Sequence, residues 1–91
     1  MLIPVVRIYK NGVDYYLKEI FINPRNIVYM SEEVSFKRNL LEGKINLGLH
    51  PGTEFTRAKI NMGDYLEDII LVGNPKTIEG KFYRVKKLLR D

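Results

Sequence analysis

Cysteine is absent from this chain. Its absence excludes a disulfide framework, a Cys-ligated zinc site and a thiol nucleophile. Histidine occurs once, at His50, and a lone imidazole lacks the further ligands that a zinc site needs. No metal and no cofactor is therefore expected. Long apolar runs are missing too: Ile69-Ile70-Leu71-Val72 falls far short of the roughly 20 residues that span a bilayer. Met1 to Arg7 carries no basic region ahead of its apolar part, so neither a signal peptide nor a membrane partner is expected, and the chain reads as cytoplasmic. There is no Gly-rich phosphate loop, and Ser31 and Ser35 sit in no nucleophile elbow. Carboxylates at Glu32, Glu33, Glu54, Asp64, Glu67 and Asp68 are scattered over turns with no spacing that pairs them. Catalysis is not expected, and no residue is assigned a catalytic role.

What is present is an ordinary apolar fraction in 91 residues, enough for one β-rich domain over 1–91 and no second core. The net charge of +4 is unevenly placed. Residues 1–75 hold nine basic and nine acidic side chains, which cancel. From Lys76 onward six cations, at Lys76, Lys81, Arg84, Lys86, Lys87 and Arg90, face two anions, Glu79 and Asp91, and 6 − 2 gives the whole +4. Such asymmetry fits a solvated helix whose cations complement its C-terminal dipole, and it also fits a polyanionic partner.

The strand signals lie within 3–72. Val5 to Lys10 is β-branched and aromatic, and Asn11-Gly12 offers the two positive-φ positions of a type I′ hairpin turn. Val13 to Ile22 returns, but its apolar residues change parity between Leu17 and Ile20. A bulge at Lys18-Glu19 would reconcile them on one face. Asn23-Pro24 ends this strand, because proline cannot donate to a ladder, and Asn26 to Met30 begins the next. Alternation at Val34 and Phe36, and again at Ile45, Leu47 and Leu49, predicts two further extended runs around a turn closed by Gly43. Thr53 to Met62 is extended, with Thr56, Ala58, Ile60 and Met62 on one face. Tyr65 to Val72 is apolar enough to be the sheet centre.

Gly73-Asn74-Pro75 then changes the pattern. Asn is a good N-cap and Pro suits the first helical position. Ile78, Phe82, Val85 and Leu89 fall in one arc at helical spacing, so a helix is predicted over about 75–90, with Gly80 as a late start or kink. The predicted fold is mainly β (α+β): a small antiparallel β barrel or strongly bent sheet of six or seven strands with one C-terminal helix.

Three pieces of this chain resemble small bacterial families. Lys10-Asn11-Gly12, the corner Ile22-Asn23-Pro24-Arg25-Asn26-Ile27, and Leu71-Val72 running into a basic helix are similar to the FlbD-like flagellar-operon proteins. These have an Asn-Gly hairpin, an Asn-Pro-x-x-Ile corner and a final strand leading into a helix. The same layout resembles the LytTR DNA-binding domain, although Gly73-Asn74-Pro75-Lys76 stands where that family opens its helix with Ser-Arg-Arg. The pieces cover about a third of the chain. Leu49 to Arg57 also loosely resembles the Pro-x-x-Gly-x-Glu loop of MazF-type RNA-cleaving toxins. That loop lies near the N-terminus in the family, whereas here it is mid-chain and no Arg-Pro follows.

The LytTR likeness and the charge asymmetry together imply a non-catalytic regulatory binding module that contacts nucleic acid. Lys81, Arg84, Lys86, Lys87 and Arg90 on the helix, with Arg25 as an added contact, are the expected nucleic-acid-binding residues. The alternative is a protein–protein interaction module, a regulator or inhibitor of a larger bacterial or phage machine, that uses exposed strand edges or the Tyr16 face. Tyr16 is the aromatic expected to meet a partner, because it stands opposite in parity to Tyr15 and beside Lys18. A small-barrel ribonuclease is the remote alternative. The sequence leaves the oligomeric state open.

Overall fold

The computed structural model describes the backbone of residues 1–90 and the side chains of residues 1–82. In chain order the elements are β1 (Ile3–Asn11), β2 (Asp14–Ile22), a 3-10 turn (Pro24–Asn26), β3 (Ile27–Glu32), α1 (Val34–Leu41), β4 (Phe55–Asn61), β5 (Leu66–Val72) and α2 (Pro75–Arg90). The strands form one antiparallel sheet in the order β2-β1-β5-β4-β3. Among the described residues the strands number five rather than six or seven, the helices two rather than one, and the sheet is not closed into a barrel.

The topology is a meander in which consecutive strands pair except β2 and β3, and β1 also pairs with β5. These two edges are nonetheless joined by residues 23–26. Four flat strand spacings would put the edges about 19 Å apart, whereas five steps that include a 3-10 turn reach only about 13 Å. The sheet must therefore coil until its edges approach. Ile20 and Ile22 from one edge strand, and Ile27 and Met30 from the other, pack into the same apolar cluster.

Coiling gives the sheet an inner and an outer face, and both are covered. The inner face carries Ile3, Val5, Ala58, Ile60, Ile69 and Leu71, closed by Ile78 of α2, which is fully buried. The outer face carries Ile8 and Phe55, closed by Phe36 and Leu40 of α1. Burial on both faces explains the parity change in β2. Leu17 serves the outer cluster and Ile20 the inner one, so no bulge is needed, and β2 runs against β1 from Ile3↔Ile22 to Asn11↔Asp14 without a register shift.

Three local expectations are corrected. Val34 to Leu41 is helical: Phe36 and Leu40 bury one face at i, i+4 spacing, and Gly43, at φ 74°, follows the helix with its N–H donating to the Leu40 carbonyl. Ile45, Leu47 and Leu49 do alternate inward, against the outer cluster, but as a strap without a strand ladder. The hairpin turn lies one residue later than expected. Gly12 is its first loop residue, at φ 65°, and among the described residues no non-glycine residue has positive φ. That is the type II′ pattern, with glycine first. The central position of β5 agrees with its sequence, as does the start of α2 at Pro75.

Candidate nucleic-acid and strand-docking surfaces

α2 begins where β5 ends. Gly73, at φ 109°, turns the chain, and its carbonyl accepts the buried Thr56 hydroxyl at 2.7 Å. Asn74 caps the helix: its Oδ1 accepts the Thr77 N–H at 2.8 Å. Lys81 then reaches back and donates Nζ to the Pro4 carbonyl at 3.1 Å. Of the five helix cations expected to meet nucleic acid, Lys81 thus helps to fasten the helix. The side chains of Arg84, Lys86, Lys87 and Arg90 lie outside the described residues, as do those of Val85 and Leu89.

The corner is a compact local structure. Asn23 Oδ1 accepts the Arg25 N–H at 3.0 Å, and the Asn23 carbonyl accepts the Asn26 N–H at 2.9 Å. These bonds give Asn23 and Pro24 their structural reason. The Arg25 side chain is exposed and makes no ion pair among the described residues. It lines a hollow of about 340 Å³ together with Met1, Pro24 and Phe82 of α2. Arg25 and the basic helix, far apart in sequence, therefore meet at one end of the sheet.

Tyr16 stands on the inner-face side of the hairpin, away from that end, and is 47% exposed. Its ring stacks on Tyr9 opposite, with centroids 5.3 Å apart and planes 13° apart. The Arg7 guanidinium lies 4.3 Å from the Tyr9 ring centroid and donates to Glu67 at 2.9 Å. Arg7 Nε is buried with no acceptor among the described residues. Beside this group a slot of about 310 Å³ is lined by Ile20 and Ile22 of β2 and by Ile60, Met62 and Ile69, with Arg7 and Glu67 at its polar end.

The outer face holds an ion-pair group that sequence reasoning missed. Glu33 is nearly buried and accepts Arg57 Nε at 2.7 Å. Lys37 on α1 lies 3.5 Å from Glu54, whose other oxygen is 3.5 Å from the Asn74 amide. These pairs bind α1 to β4 and to the α2 cap. The i, i+4 spacing of Phe36 and Leu40 was the available signal, since a helix there turns Glu33 and Lys37 toward the sheet. In the His50–Glu54 turn, His50 Nδ1 accepts the Gly52 N–H at 2.9 Å and the His50 carbonyl accepts the Thr53 hydroxyl at 2.6 Å. Among the described residues no group of three or more His, Asp or Glu could hold a metal ion, and no helix is long and apolar enough to cross a membrane.

The fold is thus an open five-strand meander with a helix on each face, a basic α2 and one long unpaired edge. Compared with protein-family models, with curated proteins and with solved structures, the chain matches none. The likeness to FlbD-like proteins and LytTR domains rests on the short sequence pieces alone.

Proposed function

We propose that this protein is a non-catalytic regulatory module that contacts nucleic acid through α2. The supporting observation is placement: the chain's entire net charge lies on and just after one helix, and Arg25 adjoins that helix at Phe82. Arg84, Lys86, Lys87 and Arg90 supply phosphate contacts, and Arg25 extends the same surface. Lys81 contributes from its anchored position beside Pro4. Binding of this kind releases counterions, so the logarithm of affinity falls with the logarithm of salt by about 0.9 for each phosphate neutralised on a duplex. An electrophoretic shift at low salt with DNA and RNA tests it. Failure of both to shift removes the reading.

A second reading is favoured by a separate observation. β2 is nine residues long, pairs only with β1, and presents Tyr16 and Phe21 exposed. Such an edge is a template for another strand. As a protein-interaction module the chain would hold a protein partner through moderate salt. Glu19→Pro removes one edge N–H without touching a buried side chain, so it should abolish capture of a protein partner from nuclease-treated lysate while the fold persists. Unchanged capture would exclude this edge.

A further inference from the structure

We infer that β2 pairs with β2 of a second copy of this chain, antiparallel, about a two-fold axis at Tyr16. The inference rests on the second reading above, in which the β2 edge docks a strand, and names the occupant. Of the two free edges only β2 suits this. β3 has six residues and a register shift between Ile27 and Tyr29, the kind of irregularity that discourages pairing. β2 has an unbroken register over nine residues.

The hydrogen-bonding phase follows from the hairpin. A two-residue loop closes on a pair that exchanges both backbone bonds, and that pair is Asn11↔Asp14. Alternation then turns the backbone groups of Tyr15, Leu17 and Glu19 outward. Pro4 agrees with this phase. Opposite Phe21 it needs no N–H for the β1–β2 ladder, and its carbonyl is free to accept Lys81.

A two-fold axis perpendicular to a sheet keeps each face in register with itself, so a residue can oppose only residues of its own parity. Centred on Lys18 or on Glu19, like charges meet. Centred on Leu17, Asp14 opposes Ile20 and neither acidic residue finds a cation. Centred on Tyr16, Asp14 opposes Lys18 of the second copy, twice by symmetry. Tyr15 then opposes Leu17 twice, both half-buried and both on the outer face. The two Tyr16 rings meet on the inner face and extend the Tyr9–Tyr16 stack across the junction. Opposite-charge and aromatic cross-strand pairs are the stabilising kinds. Each Tyr15–Leu17 pair exchanges two backbone bonds, which gives the junction four. The axis also leaves both copies' α2 helices on the same side of the joined sheet, so a polyanion would meet two basic helices at once.

Sedimentation of the full chain over a concentration series is the test. Wild type should pass from monomer to dimer. Lys18→Asp sets aspartate against Asp14 at both ends and should raise the dissociation constant about tenfold. Adding Asp14→Lys should restore it to within about threefold. Within the monomer Lys18 lies opposite Arg7 and Asp14 opposite Asn11, so Lys18→Asp relieves a repulsion there, and circular dichroism checks that it folds. The absence of native cysteine allows a second arm. Tyr16→Cys should cross-link on mild oxidation, because a non-hydrogen-bonded pair brings Cα atoms to about 4.5 Å, within disulfide reach. Phe21→Cys should not. A wild type that stays monomeric to about 1 mM, an unchanged Lys18→Asp variant, or equal cross-linking through Phe21→Cys overturns the proposal. If the chain is monomeric but Glu19→Pro still abolishes capture of a protein partner, self-pairing fails and the docking edge stands. If Glu19→Pro changes nothing either, both fail.

Discussion

Replacing Ile78 with alanine removes three carbons from a side chain with no exposed surface. They lie against the inner cluster that includes Leu71, Ala58 and Ile3. At about 0.8 kcal/mol per buried methylene the transfer contribution is about 2.4 kcal/mol. The cavity left behind raises the total to about 3–4 kcal/mol, because a coiled sheet framed by five strands cannot collapse fully onto the gap. For a domain of this size each kcal/mol lowers Tm by roughly 4–8 °C, so Ile78→Ala should melt at least about 12 °C below wild type. Circular dichroism at 222 nm, read against temperature and urea, gives the number. Glu79→Ala, one residue along and exposed, is the control and should stay within about 0.5 kcal/mol. A Tm drop under about 4 °C would mean that α2 does not close the inner face. The placement of the basic surface beside Arg25 would fall with it.

Gly80 lies in the continuous helix α2, and a Cβ there would meet nothing within 4 Å, so Gly80→Ala should stabilise by about 0.5–1 kcal/mol in a urea melt. Asn74→Ala removes the 2.8 Å cap to Thr77 and should cost about 1 kcal/mol. Thr56→Val deletes the hydroxyl that donates to the Gly73 carbonyl. It should cost about 1–3 kcal/mol, because the acceptor is left without its partner, and a melt indistinguishable from wild type would refute that bond.

The sequence was most legible where one signal had one meaning. At Asn74-Pro75 the cap, the proline and the helical spacing of Ile78 and Phe82 agree on a helix start, whereas Asn23-Pro24 opens only a 3-10 turn, and β5 is apolar on both parities because both of its faces are covered. The parity change in β2 carried the same information. Read with only one face buried, it called for a bulge; with helices on both faces it needs none. α1 was hidden because Val34 and Phe36 satisfy a two-residue period as well as Phe36 and Leu40 satisfy a helical one. A short window cannot choose between them, and the deciding fact, that Phe55 and Tyr15 wait beneath Phe36, is a long-range contact. The strap at Ile45, Leu47 and Leu49 shows the same limit: alternation records which side is buried, not whether a ladder forms. As for the sites, Arg25's proximity to α2 depends on the coiling of the sheet, which no local pattern encodes. Tyr16 was legible as an exposed aromatic, but its position on a long free edge was not.

The central claim, that α2 is the surface that meets nucleic acid, is tested most directly by a salt titration. Fluorescence anisotropy with labelled DNA and RNA, on wild type and on the Lys86→Glu, Lys87→Glu double variant, would be read across ionic strength. Two lost phosphate contacts should make the slope of log affinity against log salt shallower by about two and weaken binding at every salt concentration. A wild type that binds neither nucleic acid at low salt, or a double variant with wild-type affinity and slope, would contradict the claim.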